Sequence, residues 1–180
     1  ISIEHNDGKV YRLKPRINMD VNTWWISDEI RYGWKHIHSQ ERLRTPWRKA
    51  QGTMEECDWN QAYRQLTSQF QQSVDQHGEG SLAAMISPML PSEEAYALGQ
   101  FMLSMDPQAT LGIGPVPFEG ENKTFPGGYT VWAEKAPNAR GVRRALELLT
   151  NDLHDYAQWL ARLGSGNSNV QAVLVTGNYP

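Results

Sequence analysis

Cysteine is nearly absent: Cys57 is the single thiol in 180 residues. No internal disulfide can form, and a reducing compartment is the natural setting. A four-iron cluster takes about four thiolates, so this chain by itself does not supply the ligands for one. Long apolar runs are missing too; none approaches the roughly 20 residues that a bilayer-spanning helix needs. Residues Ile1 to Val10 lack the basic start and apolar middle of a secretory signal. A strong excess of one charge is also lacking. The net charge of -3 and pI near 6.0 give no general attraction to nucleic acid or to anionic membranes.

What is present is ordinary for a folded protein: 39% hydrophobic and 21% charged residues, with seven tryptophans adding large apolar area. The length suits one domain with a sizeable core. Lys35, Arg42, Arg44, Arg48 and Lys49 form a local basic cluster with Trp34 and Trp47 interleaved. A solvated face beside a partner surface accounts for it better than an RNA-contacting patch. The chain opens at Ile1 without a methionine and stops at Pro180 just after an apolar strand, so it is expected to be part of a longer polypeptide.

Hydrophobic periodicity organises most of the chain. Gly8 to Leu13 alternates weakly and reads as a short strand after an Asn6-Asp7-Gly8 turn. Asp20 or Asn22 is positioned to cap a helix running through Trp24, Trp25, Ile26 and Ile30, with Gly33 as its stop. Lys35 to Met54 has no clear period and reads as an extended crossing segment. Asp58 followed by Gln61 resembles a capping box, and Ala62, Leu66, Phe70 and Val74 then mark an amphipathic helix. Ser81 to Leu90 is a continuous apolar run, read as a buried strand, followed by a helix capped by Ser92. Asp106 to Gly128 reads as a long Gly/Pro-rich loop, Tyr129 to Trp132 as a brief strand, and Val142 to Leu163 as one long helix. Val170 to Thr176 is a second buried strand. The expected fold is α/β: a partial Rossmann-like, mainly parallel sheet with flanking helices and an irregular N-terminal extension.

Most candidate motifs dissolve on inspection. Gly112-x-Gly114 runs into Pro115, Val116 and Pro117, so no helix opens to receive a pyrophosphate. His36, His38 and Cys57 fall short of a zinc ligand set. Asp152, His154 and Asp155 fall within one turn of the expected helix with no nucleophile signposted nearby, so no triad is indicated. Two segments keep a functional reading: Val21 to Gly33, and Ala136 to Gly141 together with the terminal Gly177-Asn178. A glycine after a parallel strand lets a ligand approach the strand's carboxyl end; the competing reading is turn chemistry.

At Val21-Asn22, Trp25-Ile26-Ser27-Asp28 and Arg31-Tyr32-Gly33, then Arg42-Leu43 through Pro46 and Trp59 through Ala62, the sequence resembles the large iron–sulfur (G-type) subunit of NADH-quinone oxidoreductase, within the molybdopterin-oxidoreductase superfamily. The segments around Ser92 to Tyr96, Ala136 to Gly141 and Val173 to Pro180 resemble the start of that family's molybdopterin-type domain more loosely. The resemblance implies that residues 1–57 end the cluster-carrying subdomain and residues 58–180 begin an α/β domain. Ser27 occupies the position where family members with an extra four-iron cluster have its last cysteine. A serine hydroxyl is a poor ligand to iron compared with thiolate. The expectation is therefore a fragment with no cofactor, metal ligand or catalytic residue of its own, in a parent that binds iron–sulfur clusters. Its partners would be the rest of that subunit and the flavoprotein and quinone-reducing subunits, without nucleic acid. Its location would be cytoplasmic, reaching the membrane only through the complex. The competing reading is a fragment of a formate-dehydrogenase-like enzyme in which Asn138, Gly177 and Asn178 contact a pterin. A third is a stand-alone module binding a polyanion through the basic segment around Trp47.

Overall fold

The computed structural model describes residues 1–177, which fall into two compact units divided between Ala62 and Tyr63. The first is built from turns and short pairings. Strands β1 (Ser2–Asn6) and β2 (Lys9–Lys14) form an antiparallel hairpin. Asp7 and Gly8 both have positive φ, the geometry that matches a two-residue turn to the twist of its strands. The expected helix around Trp24 is confined to α1 (Asp28–Tyr32). Upstream of it, Asn22 donates its side-chain amide to the Trp25 carbonyl at 2.9 Å, so it ties a loop and caps no helix.

The segment expected to be extended is folded. Gly33–His38 forms a 3₁₀ helix, and β3 (Trp47–Ala50) pairs antiparallel with β4 (Thr53–Glu56). Gln51 and Gly52 make that turn with positive φ, and Arg48 meets Glu55 across the pair at 2.6 Å. Cys57 is buried, its thiol 3.7 Å from the Pro46 carbonyl.

The second unit carries the main core. Helix α2 (Trp59–His77), most of which belongs to this unit, starts before Tyr63 on a reciprocal cap, Gln61 N–H to Asp58 Oδ1 at 2.8 Å and Asp58 N–H to Gln61 Oε1 at 3.2 Å. Strand β5 (Leu82–Ile86) is shorter than the apolar run suggests, because Ser87-Pro88 leaves the ladder. Helix α3 (Ser92–Met105) has Pro91 at its N-cap and no side-chain cap, so Ser92 is its first turn and not its cap. Strand β6 (Thr110–Ile113), wholly buried, lies inside the segment expected to be one long loop; further along are β7 (Lys123–Thr124) and β8 (Thr130–Val131), a small antiparallel pair.

The long helix expected from Val142 is two: α4 (Ala139–Glu147) and α5 (Tyr156–Gly164). Asp155 and Gln158 form a capping box that starts α5 afresh. Between the helices His154 joins the edge of β6, donating its N–H to the Leu111 carbonyl and accepting the Ile113 N–H. Asp152, His154 and Asp155 are thus residues of a connector and a cap. Strand β9 (Ala172–Val175) completes the sheet.

The sheet order is β6-β5-β9, with both pairings parallel, as the α/β reading requires. Leu82, Ala84, Ile86, Leu111 and Ile113 face Met102 and Ala95 of α3, Val142 and Leu146 of α4, and Phe70 of α2 in one apolar cluster. On β6, a Cβ added to Gly112 would stand 2.4 Å from Trp159 Cδ1, and the Trp159 indole N–H donates to the Thr110 carbonyl at 3.3 Å. That close approach, and not phosphate binding, explains the glycine. Gly112→Ala is expected to destabilise the chain by about 1–3 kcal/mol through overpacking, read as a lower urea midpoint with unchanged slope.

Candidate functional site

Two places could face a cofactor: the carboxyl ends of the parallel strands, and the loop leading into α1. The chain passes from β5 to β6 on one side and then returns to β9 on the other. The reversal makes the carboxyl ends of β5 and β9 the topological switch point, where open α/β sheets bind ligands. Here hydrogen bonds join the two strand ends. Ser87 N–H donates to Thr176 Oγ1 at 2.8 Å, and Thr176 N–H donates to the Met85 carbonyl at 3.0 Å.

Gly177 follows directly, exposed, with no atom of the described residues within 4 Å of where a Cβ would sit. It leaves room at the switch point. Asn178 lies outside the described residues. Asn138 sits at the start of α4, where its amide donates to the Leu90 carbonyl at 2.8 Å and to Ser92 Oγ at 3.2 Å. It fastens the loop after β5 to α4. Gly141 belongs to the same clasp, since a Cβ there would stand 2.1 Å from Asn138 Oδ1 and 2.6 Å from Ser92 Oγ. The structure therefore brings Asn138 to Leu90 and Ser92, with its donors spent internally. Asn138→Ala is expected to cost about 1–2 kcal/mol for the two lost bonds, measured by urea unfolding.

In the first unit, the residues carrying the family resemblance form a cross-tied loop. The Asn18 carbonyl accepts the N–H groups of Val21, Asn22 and Thr23, and Asn18 N–H returns to the Thr23 carbonyl. The apolar side chains of that loop point outward: Val21 is 81% exposed and Trp24 68%. Ser27 is the N-cap of α1, its hydroxyl accepting the Ile30 N–H at a long 3.4 Å. His36 Nδ1 lies 2.7 Å from the Gly33 carbonyl and His38 Nε2 accepts the Val10 N–H, so both imidazoles are engaged locally. Among the described residues no three His, Cys, Asp or Glu side chains converge as a metal-ligand group.

On the hairpin, Glu4 accepts Arg12 Nε at 2.7 Å and pairs with Lys14. Hydrogen bonding to Arg12, then to Lys14, holds its carboxyl below the ordinary carboxylate range. A depressed folded value means the pairing is fully present above the unfolded value and lost as pH falls through the folded one. Glu4→Gln is expected to abolish this acid step in the β1–β2 amide shifts, followed by NMR.

A small hairpin–helix unit followed by a parallel α/β unit with an open switch point is the class of protein these features define. Residues 1–35 match the family model described as NADH-ubiquinone oxidoreductase NDSU1/NuoG-like, 4Fe-4S domain. The G-type subunit of NADH-quinone oxidoreductase from Streptomyces coelicolor is 30% identical over 99 residues, covering 54% of this chain and 11% of that protein. The mitochondrial 78 kDa subunit of NADH-ubiquinone oxidoreductase from Neurospora crassa is 29% identical over 111 residues, 59% of this chain and 15% of the relative. A Staphylococcus aureus protein with a provisional formate dehydrogenase name is 24% identical over 92 residues, 51% of this chain and 9% of its own length. The chain thus spans only a small part of each of these relatives. Together the matches support a segment of a G-type subunit within the molybdopterin-oxidoreductase superfamily, the resemblance read from the sequence.

One expectation is overturned. The fragment was expected to carry no cofactor, on the ground that Ser27 replaces a cluster cysteine. The 4Fe–4S family model spans residues 1–35, Ser27 included, and this match to a model of a cluster-binding domain points against that expectation. One substituted ligand position does not remove a region's fold or its packing role around a cluster. The residues present do not fit the group alone: residues 1–35 hold no cysteine, and Cys57 lies beyond the matched stretch. A cluster in this region would need thiolates from outside residues 1–35.

Proposed function

We propose that this chain is a segment of an electron-transfer subunit of an NADH-quinone oxidoreductase of the G type. In this reading residues 1–35 pack around a four-iron cluster whose thiolates come from other parts of the subunit. The α/β unit from about residue 58 onward serves as a structural, molybdenum-free version of the molybdopterin-type domain. The segment itself carries no catalytic residue. It adjoins the rest of its subunit and, through the complex, the flavoprotein and quinone-reducing subunits, on the cytoplasmic side of the membrane. No helix among the described residues is long and apolar enough to cross a membrane, which agrees with a peripheral position.

The observation that carries the reading is the 4Fe–4S match on residues 1–35, which fall within the compact unit Ile1–Ala62. The competing reading, a pterin-contacting fragment of a formate-dehydrogenase-like enzyme, draws on the open position at Gly177 and on the relatives of that name. Asn138 weighs against it, because its amide is committed to Leu90 and Ser92.

One preparation separates the two. The full-length parent is purified anaerobically, assayed for iron, sulfide and molybdenum, and its reduced clusters are recorded by electron paramagnetic resonance. The expected result is four-iron signals without stoichiometric molybdenum. In a Trp24→Ala/Trp25→Ala parent, one signal should shift or disappear as the cluster's apolar surround is opened. Unchanged iron content and spectra in that variant would remove residues 1–35 from any cluster's surroundings. Stoichiometric molybdenum with pterin would favour the competing reading.

A further inference from the structure

A long-range hydrogen bond ties the hairpin of the first unit to the 3₁₀ helix, from Val10 N–H to His38 Nε2 at 2.9 Å. The hairpin's register shifts between Glu4 and His5, where β1 faces Val10, and Val10 N–H is taken by the imidazole. Trp34, whose ring stands edge-on to His38 at 6.3 Å between centroids, donates its indole N–H to the Arg31 carbonyl. The imidazole therefore stands where β2, the 3₁₀ helix and the end of α1 are held together.

We propose that His38 is a proton-operated latch on this unit. An imidazole nitrogen that accepts a backbone N–H must hold a free lone pair, which fixes the neutral form with its proton on Nδ1. Protonating Nε2 converts the acceptor into a donor facing another donor. The bond is lost, and β2 is released from the 3₁₀ helix. The charged and titratable groups on the elements around it are Glu4 and His5 on β1, Lys9, Tyr11, Arg12 and Lys14 on β2, Asp28, Glu29, Arg31 and Tyr32 on α1, and Lys35 and His36 on its own helix. Glu4 is engaged by Arg12 and Lys14, and Asp28 pairs with Arg31 at 3.8 Å. His5 and His36 are also imidazoles, so the test must separate their ring signals from that of His38.

The experiment uses the full chain labelled with nitrogen-15. The hydrogen-exchange protection factor of the Val10 amide, corrected for intrinsic exchange, is followed against pH beside the His38 ring-proton shift. Val10 protection is expected to fall about five- to tenfold as the His38 imidazole titrates, the loss of one modest hydrogen bond. In His38→Gln, whose amide oxygen accepts at every pH, Val10 protection should stay level. Constant Val10 protection while His38 titrates overturns the latch, and so does an acid step that persists in His38→Gln. The wild-type co-titration decides the question alone if the variant does not fold.

Discussion

Asp106 is wholly buried, and its carboxylate accepts three backbone N–H groups: Gly80 at 2.9 Å, Leu82 at 3.0 Å and Gln108 at 3.0 Å. A buried carboxylate without partners would cost several kcal/mol, so these donors are a condition of its being there at all. Their positions matter more than their number. Gly80 and Leu82 open β5, whereas Asp106 and Gln108 form the turn between α3 and β6. One side chain therefore fixes where the central strand begins relative to the helix that covers it and the strand beside it. Both β6 and β9 pair with β5, so the register of the whole sheet starts from this clamp. Burial of Leu82, Ile86, Leu111, Met102 and Leu146, each worth about 1.5–3 kcal/mol, then follows on geometry that the clamp has set.

Where signals were local, the fold could be read from the residues. The Asp58–Gln61 box and the four-residue spacing of Ala62, Leu66, Phe70 and Val74 announced α2 from both cap and face. The apolar runs pointed to β5 and β9, and with them the parallel α/β class. Strand β6 was hidden because it is four residues long with a glycine inside, and the reason for that glycine is Trp159, far along the chain. The stripe from Ala145 to Leu160 suggested one helix because apolar spacing ran on across the connector. The Asp155–Gln158 cap that divides it lies inside that run, where the continuing period hides it. In the first unit both hairpin turns have positive φ, at Asp7-Gly8 and at Gln51-Gly52. Asp-Gly is a strong hairpin signal and Gln-Gly a weaker one, so only the first pairing was readable.

The candidate site was legible as motif and less so as chemistry. Asn138 and Gly141 stand out in the sequence because they fit one another and Ser92 tightly, which is packing that composition alone cannot tell from ligand binding. Ser27 stands out through the family resemblance, and the structure gives it a second physical role as a helix cap with Asp28 and Glu29 in the first turn. A cap residue is under a backbone constraint that both serine and a metal-binding cysteine can satisfy at the same place. Reading the serine as the end of cluster binding treated one ligand position as though it stood for the whole region. The family match over residues 1–35 corrects that, because it rests on the entire stretch.

The two units differ in what stabilises them. In the second, buried apolar side chains gather from the sheet and three helices. Among apolar side chains in the first, the buried ones are Leu13, Ile26 and Cys57, while Ile17, Met19, Val21, Trp24, Trp25 and Leu43 are exposed. Units of this size bury a smaller fraction of their surface than larger domains do and are marginal on hydrophobic burial alone. What orders this one is directional: the Asn18 and Asn22 ties, two hairpins, and the Val10–His38 bond. Hydrogen bonds of this kind contribute about 1 kcal/mol each and specify geometry more than they resist unfolding. Such a unit holds its loop in shape while leaving the loop's apolar side chains uncovered. Exposed apolar side chains concentrated along one such loop are candidates for contact with another body. In the proposed packing of residues 1–35 around a cluster, such a loop would contribute shape and apolarity beside ligands supplied from elsewhere.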